Sequence, residues 1–183
     1  MKVQSRKRIR RMTAAAETVT AYHEAGHAVA AWLLHLGLRR KGISIIRDED
    51  SDGRTHLVHP MRNSKPEIDR SDRNRIRAER YAVVVLAGRE AQRRHRGSNV
   101  RPYHHQNDYQ NAAELIQYFV ASHEELEAHL RLLQVRAKNL FENDEIWRCT
   151  QAVAIAVLDK KQLSGSEVAE ICRTSLGESR SLT

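Results

Sequence analysis

Residues 20–34, TAYHEAGHAVAAWLL, place two histidines four positions apart within an apolar stretch. Residues four apart lie on one face of an α-helix, so His23 and His27 are expected to point in the same direction. Large apolar residues recur every three or four positions across residues 14–36, and this period predicts a long helix. Gly37 and the basic residues after it are typical of a helix C-terminus.

The rest of the chain predicts a mainly α-helical fold with a small β-hairpin after the first helix. Ile43 and Ile45 alternate, the Asp52-Gly53 pair is a turn signal, and residues 55–58 are typical of a returning strand. Charged residues make up 30% of the chain and aromatic residues only 5%, a composition that favours helices over a sandwich or barrel. Further helices are predicted at about residues 67–94, from 107 onward, and at 124–141, 144–160 and 165–175.

The length and the charge distribution indicate a single domain with terminal tails. The 183 residues suffice for one core, which we assign to residues 13–175, with a basic, disordered tail at 1–12 and a second tail at 176–183. The formal charge is +8, but six Lys or Arg fall in the first eleven residues, and the remainder carries 25 basic against 23 acidic residues. Because no nucleic-acid-binding module with interleaved aromatic residues accompanies these charges, nucleic acid is not an expected partner.

The cysteines and the apolar segments indicate the compartment. Cys149 and Cys172 lie far apart in sequence and form no C-x-x-C motif, so we expect free thiols in a reducing environment. No apolar run has the length needed to cross a bilayer, and no apolar region follows the basic start as it would in a secretory signal. These features predict a cytoplasmic protein without a transmembrane segment.

The two histidines belong to a motif with a known chemical logic. His23-Glu24-x-x-His27 is the H-E-x-x-H pattern of zinc hydrolases. Two neutral imidazoles one helical turn apart can both reach Zn²⁺ at about 2.0–2.1 Å. The glutamate between them lies where it can accept a proton from a metal-activated water. The alternative is a pair of ordinary helix-surface histidines that bind no metal.

A catalytic zinc site needs a third protein ligand and an open fourth position. The metzincin continuation of the motif is absent, because Ala30 and Leu33 stand where it requires glycine and histidine. Asp108 has the advantage of lying near a predicted helix N-terminus, where a carboxylate is well placed. Sequence spacing leaves five candidates open: Glu79, Glu90, His104, His105 and Asp108.

Several segments in a fixed order resemble one protein family. After AYHEAGHAVAAWLL come ISIIRDEDSDGRTHLVHP (43–60), ERYAVVVLAGREAQ (79–92), NDYQNAAELIQYFV (107–120) and LDKKQLSGSEVAEI (158–171). Over residues 13–175 the chain is similar to the peptidase domain of FtsH-type ATP-dependent zinc metalloproteases. This resemblance implies a helical zincin-type peptidase domain with a small β element. It also implies that His23, His27 and Asp108 bind zinc and that Glu24 is the general base.

The chain departs from the family pattern in several places. It contains neither the Walker A sequence of the family's ATPase module nor its membrane helices. Gln92 stands where the family has a glutamate, which affects the polar support expected around the metal ligands. The segment RPYHHQ replaces a loop of small residues and brings His104 and His105 near the expected site. Gly88 in the middle of the second helix indicates close packing, because a glycine there costs about 1 kcal/mol relative to alanine. The resemblance places this segment near the zinc helix, where Gly26 is also small.

The resemblance implies a zinc-dependent endopeptidase that hydrolyses bonds in peptides or unfolded proteins. Its substrates are expected to be peptides or unfolded chains because no unfoldase module accompanies the peptidase segments. The residues are equally compatible with a homo-oligomer and with a separate ATPase partner. The alternative is a non-catalytic, FtsH-like interaction or regulatory module that keeps the fold without the activity.

Overall fold

The protein is described by a computed structural model over residues 2–46, 53–61, 66–97 and 106–177. Within these ranges six α-helices pack with a small three-stranded antiparallel sheet, which confirms the mainly α prediction. The elements in chain order are α1 (Lys2–Leu33), β1 (Leu38–Ser44), β2 (Arg54–Leu57), α2 (Asp72–Arg96), α3 (Gln106–Ile116), α4 (His123–Glu142), α5 (Asp144–Lys160), β3 (Gln162–Leu163) and α6 (Gly165–Ser175). A 3₁₀ turn, Gln117–Phe119, follows α3.

The sheet has the strand order β2–β1–β3. The hairpin predicted for residues 43–58 is confirmed, since β1 and β2 are paired and antiparallel. The sequence does not predict β3, because two residues are too few to show a period; Leu163 of this strand lies opposite Ile43 of β1. Gly42 has a φ of 58°, and a Cβ at this position would collide with the Leu163 carbonyl. Glycine therefore permits the close approach of β1 and β3.

The first helix ends earlier than the sequence predicts. Its last residue is Leu33, and the left-handed residue that terminates it is His35, with a φ of 56°, rather than Gly37. The N–H of Leu36 donates to the carbonyl of Ala31 at 2.8 Å, as in a Schellman cap. Leu36 also packs against the core, so the chain turns inward before it reaches the glycine. The prediction of Gly37 as the terminator was wrong.

Apart from the start of α1, the other helix boundaries follow the predictions within a few residues. The second helix begins at Asp72 instead of near residue 67. The first helix begins at Lys2 instead of near residue 14, so the predicted domain boundary near residue 12 lies within a helix. The capping box predicted at the start of α6 is confirmed. Ser164 Oγ accepts from the N–H of Glu167 at 3.3 Å, and the Glu167 carboxylate accepts from the N–H of Ser164 at 2.8 Å.

Helix α1 lies between two apolar clusters. One joins the end of α1 to α2, α3 and α4, and the other joins its middle to α5, α6 and the sheet. Where α1 crosses α2, a Cβ on Gly26 would lie 2.5 Å from Ala91 Cβ and 2.9 Å from the Ala87 carbonyl oxygen. The absence of a side chain on Gly26 therefore lets the two helix backbones approach closely, as the small residues of the sequence predict.

None of the helices in the described ranges combines the length and the apolar character needed to cross a bilayer.

Candidate metal centre

His23 and His27 form one side of a compact cluster of potential ligands. Both project from α1 one turn apart, with their rings nearly perpendicular at 89°. Their Nε2 atoms lie 3.0 Å apart. Helical spacing alone produces this pairing, as the sequence predicts.

Asp108 completes the cluster from a different helix. It lies in the first turn of α3, and its Oδ2 is 3.2 Å from His23 Nε2 and 3.4 Å from His27 Nε2. Ligand atoms bound tetrahedrally to zinc at about 2.0–2.1 Å are separated from one another by about 3.3–3.4 Å. The three atoms are thus spaced as three corners of such a tetrahedron. In the described part of the chain, these residues are the one group of three His, Cys, Asp or Glu side chains that could hold a metal ion.

The other described candidates for a third ligand have different partners. Glu79 pairs with His129 Nε2 at 3.2 Å and with Arg136 Nη1 at 3.1 Å. Glu90 accepts from Arg93 Nε at 2.8 Å, and its second oxygen accepts from the Gln134 side-chain amide at 3.1 Å. Their carboxylates are thus engaged by α4 and by α2 itself. His104 and His105 lie outside the described residues.

The orientation of His27 is fixed by α2. Its Nδ1 lies 2.8 Å from the carbonyl oxygen of Val84, which can only accept, so Nδ1 carries the proton. Nε2, which faces Asp108, then has its lone pair available for a metal. Gly88 makes this arrangement possible, because a Cβ there would overlap Nε2 of His27 and lie 2.8 Å from Cε1 of His23.

The charges in the cluster favour a cation between the side chains. Burial by itself would lower the pKa of His27, but the carboxylate of Asp108 and the charge of Glu24 raise that pKa to about 9. Burial would likewise raise the pKa of Asp108, and the two histidines outweigh it and hold that pKa well below its usual range. The same negative charges that retain a proton on His27 would stabilise a divalent metal ion that displaces it.

Glu24 lies beside the cluster and not within it. Only 5% of its side chain is exposed, and its Oε2 accepts a hydrogen bond from Thr55 Oγ1 at 2.5 Å. A Cβ on Gly53 would be 3.0 Å from the other carboxylate oxygen, so the chain before β2 also passes close to this group. Glu24 is therefore a buried carboxylate held by β2 that lines the same cavity as His23, His27 and Asp108.

A cavity of about 640 Å³ opens onto the cluster. Its walls come from α1, α2, α3 and both strands of the hairpin, and they include Tyr81 and Gln92. Gln92 is only 2% exposed, and within the described residues its Oε1 has no hydrogen-bond partner. This chain therefore places a neutral amide acceptor in the wall of the site, at the position where the resembled family has a glutamate.

Sequence reasoning missed two residues of this site. Thr55 is one residue of a short strand, and Tyr81 is one aromatic residue in an apolar helix, so neither position carries a local signal. Both become parts of the site only when the hairpin and α2 fold against α1.

Comparisons with known proteins identify no family for this chain. No protein-family model matches it, and no curated protein shows significant sequence similarity to it.

Proposed function

We propose that this protein is a zinc-dependent endopeptidase, with a zincin-type domain resembling that of the FtsH metalloproteases. The observation that carries the proposal is the convergence of His23 Nε2, His27 Nε2 and Asp108 Oδ2 within 3.0–3.4 Å, with the Glu24 carboxylate beside them. Three protein ligands leave a fourth position for water or substrate, which distinguishes a catalytic zinc site from a structural one.

The residues divide into binding and proton-transfer roles. His23, His27 and Asp108 would hold the ion, with one net negative charge among them. When bound, zinc supplies Lewis acidity, which polarises a peptide carbonyl and lowers the pKa of water to about 7. Glu24 accepts a proton from the attacking water and donates it to the leaving amine. Thr55 keeps the Glu24 carboxylate oriented during both transfers through its hydrogen bond.

Extended chains are the substrates that this architecture fits. β2 is an edge strand of the sheet, and Gly53, Arg54, Thr55 and His56 line the cavity beside Glu24. A peptide could add to this edge as a further strand and so pass across the metal centre. Peptides and unfolded proteins satisfy this requirement, whereas a folded protein would first need an unfoldase such as a separate ATPase.

We further propose a reducing compartment such as the cytoplasm for this activity. Cys149 and Cys172 are both buried thiols. Their sulfur atoms lie 3.2 Å apart, and a reducing environment would keep such a pair as thiols.

The test of the proposed function is the substitution Glu24→Gln. It preserves the shape of the side chain but removes its ability to accept a proton. The variant should keep its fold and its zinc and lose cleavage of unfolded casein by a factor of about 10²–10⁴ or more, since general bases contribute at this level. Glu17→Gln makes the same change on α1 at a residue that pairs with Lys161, and it should cleave normally.

Each outcome has a defined meaning. Cleavage by wild type that a chelator abolishes, and that Glu24→Gln lacks, supports the enzyme. Equal cleavage by wild type and Glu24→Gln means a contaminating protease or another base. If the zinc-loaded wild type cleaves neither casein nor a peptide library, the proposal fails in favour of a non-catalytic interaction module.

A further inference from the structure

Among the described residues that line the cavity, arginines outnumber carboxylates. Three arginines line it, Arg39 from β1, Arg54 from β2 and Arg96 from α2. Among its lining residues in the described part of the chain, the carboxylates are Glu24 and Asp108, and both belong to the metal centre. The part of the cavity away from the centre is therefore cationic.

The arginines come from two separate parts of the fold, the hairpin and α2. Arg54 lies opposite Ser44 in the hairpin, and the Nε of Arg39 donates to the Leu57 carbonyl at 3.1 Å, so the Arg39 side chain crosses from β1 to β2. Arg96 is the last residue of α2 and lies one turn beyond Gln92, which also lines the cavity. A peptide in the cleft would thus meet guanidinium groups from both the hairpin and α2.

Arg96 differs from the neighbouring arginines of α2 in its ion pairing. Arg93 forms an ion pair with Glu90 at 2.8 Å, and Arg94 forms one with Asp144 at 2.8 Å. Neither Arg96 nor Arg39 forms an ion pair with a carboxylate of the described residues, and both side chains are exposed. Their guanidinium groups are accordingly accessible to a carboxylate supplied by a ligand.

The pKa of a histidine within the cleft is affected by the same positive charges. His56 of β2 is partly exposed and lines the cavity. Burial lowers the pKa of His56, and the charges of Lys41, Arg54 and Arg39 lower it further. The basic residues of the hairpin therefore act on His56 in the direction expected of a positively charged surface.

We infer that the cleft selects peptides that carry Asp or Glu side chains close to the cleaved bond, with Arg39 and Arg96 binding those carboxylates. The inference deepens the proposed function and rests on it for the claim that the bound peptide is a substrate. A peptide is favoured over other polyanions because the cationic walls flank an edge strand, which pairs with an extended polypeptide backbone. Because the guanidinium groups are exposed, the preference should weaken as salt increases.

The test measures binding directly, so that it does not depend on cleavage. The full chain with Glu24→Gln is titrated against three fluorescein-labelled ten-residue peptides that differ only in four positions, all Glu, all Gln or all Lys. Fluorescence anisotropy at low and high salt gives the dissociation constants. The Glu peptide should bind about tenfold more tightly than the Gln peptide at low salt and lose this advantage at about 0.5 M salt.

Charge-reversal variants identify the residues that bind the peptide. Arg39→Glu and Arg96→Glu should each weaken Glu-peptide binding by about tenfold and leave Gln-peptide binding unchanged. Arg131→Glu, a matched change at an exposed position of α4 that does not line the cavity, should have little effect. Circular dichroism checks that all three variants remain folded.

Three results would overturn the inference. Equal binding of the Glu and Gln peptides would show that the cleft has no preference for acidic side chains. If Arg131→Glu weakens Glu-peptide binding as much as Arg39→Glu does, the preference comes from the net charge of the protein and not from the cleft. Competition by a DNA oligonucleotide of equal charge, as strong as that of the Glu peptide, shows a general polyanion site. Absence of casein cleavage by wild type would instead defeat the proposed function, and the peptide-binding result would be unaffected by it.

Discussion

The two faces of α1 are built for different purposes. The face toward α2 and α3 carries His23, Gly26 and His27, so it combines two candidate metal ligands with a glycine that lets the helices approach closely. The face toward α5 and α6 carries residues such as Ala25 and Val29, which are buried in an apolar cluster. The candidate metal site and the apolar packing thus lie on different faces of one helix. Substitutions on the first face should affect metal binding, and substitutions on the second should affect stability.

This difference can be tested by substitutions ranked by their expected effect on peptide cleavage. The largest loss of cleavage is expected for Gly88→Ala. In an unhindered helix this change adds about 0.5–1 kcal/mol of stability, but here the new Cβ would overlap Nε2 of His27. The ring must leave its place between the Val84 carbonyl and Asp108. We expect zinc affinity to fall by about 100-fold or more and cleavage to fall with it. The unfolding free energy should fall by about 2 kcal/mol or less, because the gain in helix propensity offsets part of the cost of overpacking.

Zinc titration with a competing chelator and urea denaturation give the two quantities for Gly88→Ala. Arg89→Ala, on the exposed side of the same helix turn, is the control and should keep its zinc. If Gly88→Ala binds zinc as tightly as wild type, α2 does not set the position of the histidine and the account of this face is wrong.

An intermediate effect is expected for Thr55→Val. This substitution removes the hydroxyl that donates to Glu24 at 2.5 Å and keeps the β-branched shape of the side chain. A lost hydrogen bond to a buried charged group costs about 1–3 kcal/mol, so cleavage should fall by about tenfold or more. Zinc content should not change, because Thr55 contacts the base and none of the three ligands. Thr55→Ser retains the hydroxyl and should restore most of the activity; if it is as inactive as Thr55→Val, packing and not the hydrogen bond explains the loss.

The opposite face should show the reverse pattern. Val153 of α5 is fully buried in the cluster that packs against α1. Val153→Ala should cost about 2 kcal/mol of stability through the cavity it leaves, yet zinc content and cleavage at 25 °C should remain at the wild-type level. Urea denaturation and metal analysis on the same sample check both halves of this expectation. Loss of zinc in the folded variant would show that the two faces are coupled after all.

The sequence predicts those parts of the molecule that depend on local spacing. The helix period, the hairpin and the Ser164 capping box each involve residues within one element or one turn, and the structure contains all three. The facing pair His23 and His27 follows from the helix period for the same reason. A mid-helix glycine at position 88 predicts close packing, and the structure shows that the packing partners are the two histidines.

The remaining features depend on elements distant in the chain. Spacing leaves five candidates open for the third ligand, and only the resemblance selects Asp108 among them. Thr55 reaches Glu24 because the hairpin folds onto α1, and no local pattern encodes that contact. His35 terminates α1 in place of Gly37 because Leu36 is drawn into the core, which is again a tertiary effect.

The central claim is that His23, His27 and Asp108 form a metal centre, and metal analysis of purified protein tests it most directly. Inductively coupled plasma mass spectrometry should find about one zinc per wild-type chain. Asp108→Asn should lose most of that zinc, since an amide is a poor substitute for the anionic ligand. Glu90→Gln, the matched change at a buried carboxylate that Arg93 and Gln134 engage, should retain it. The account is contradicted if Asp108→Asn keeps stoichiometric zinc while Glu90→Gln loses it, or if folded wild type binds no transition metal.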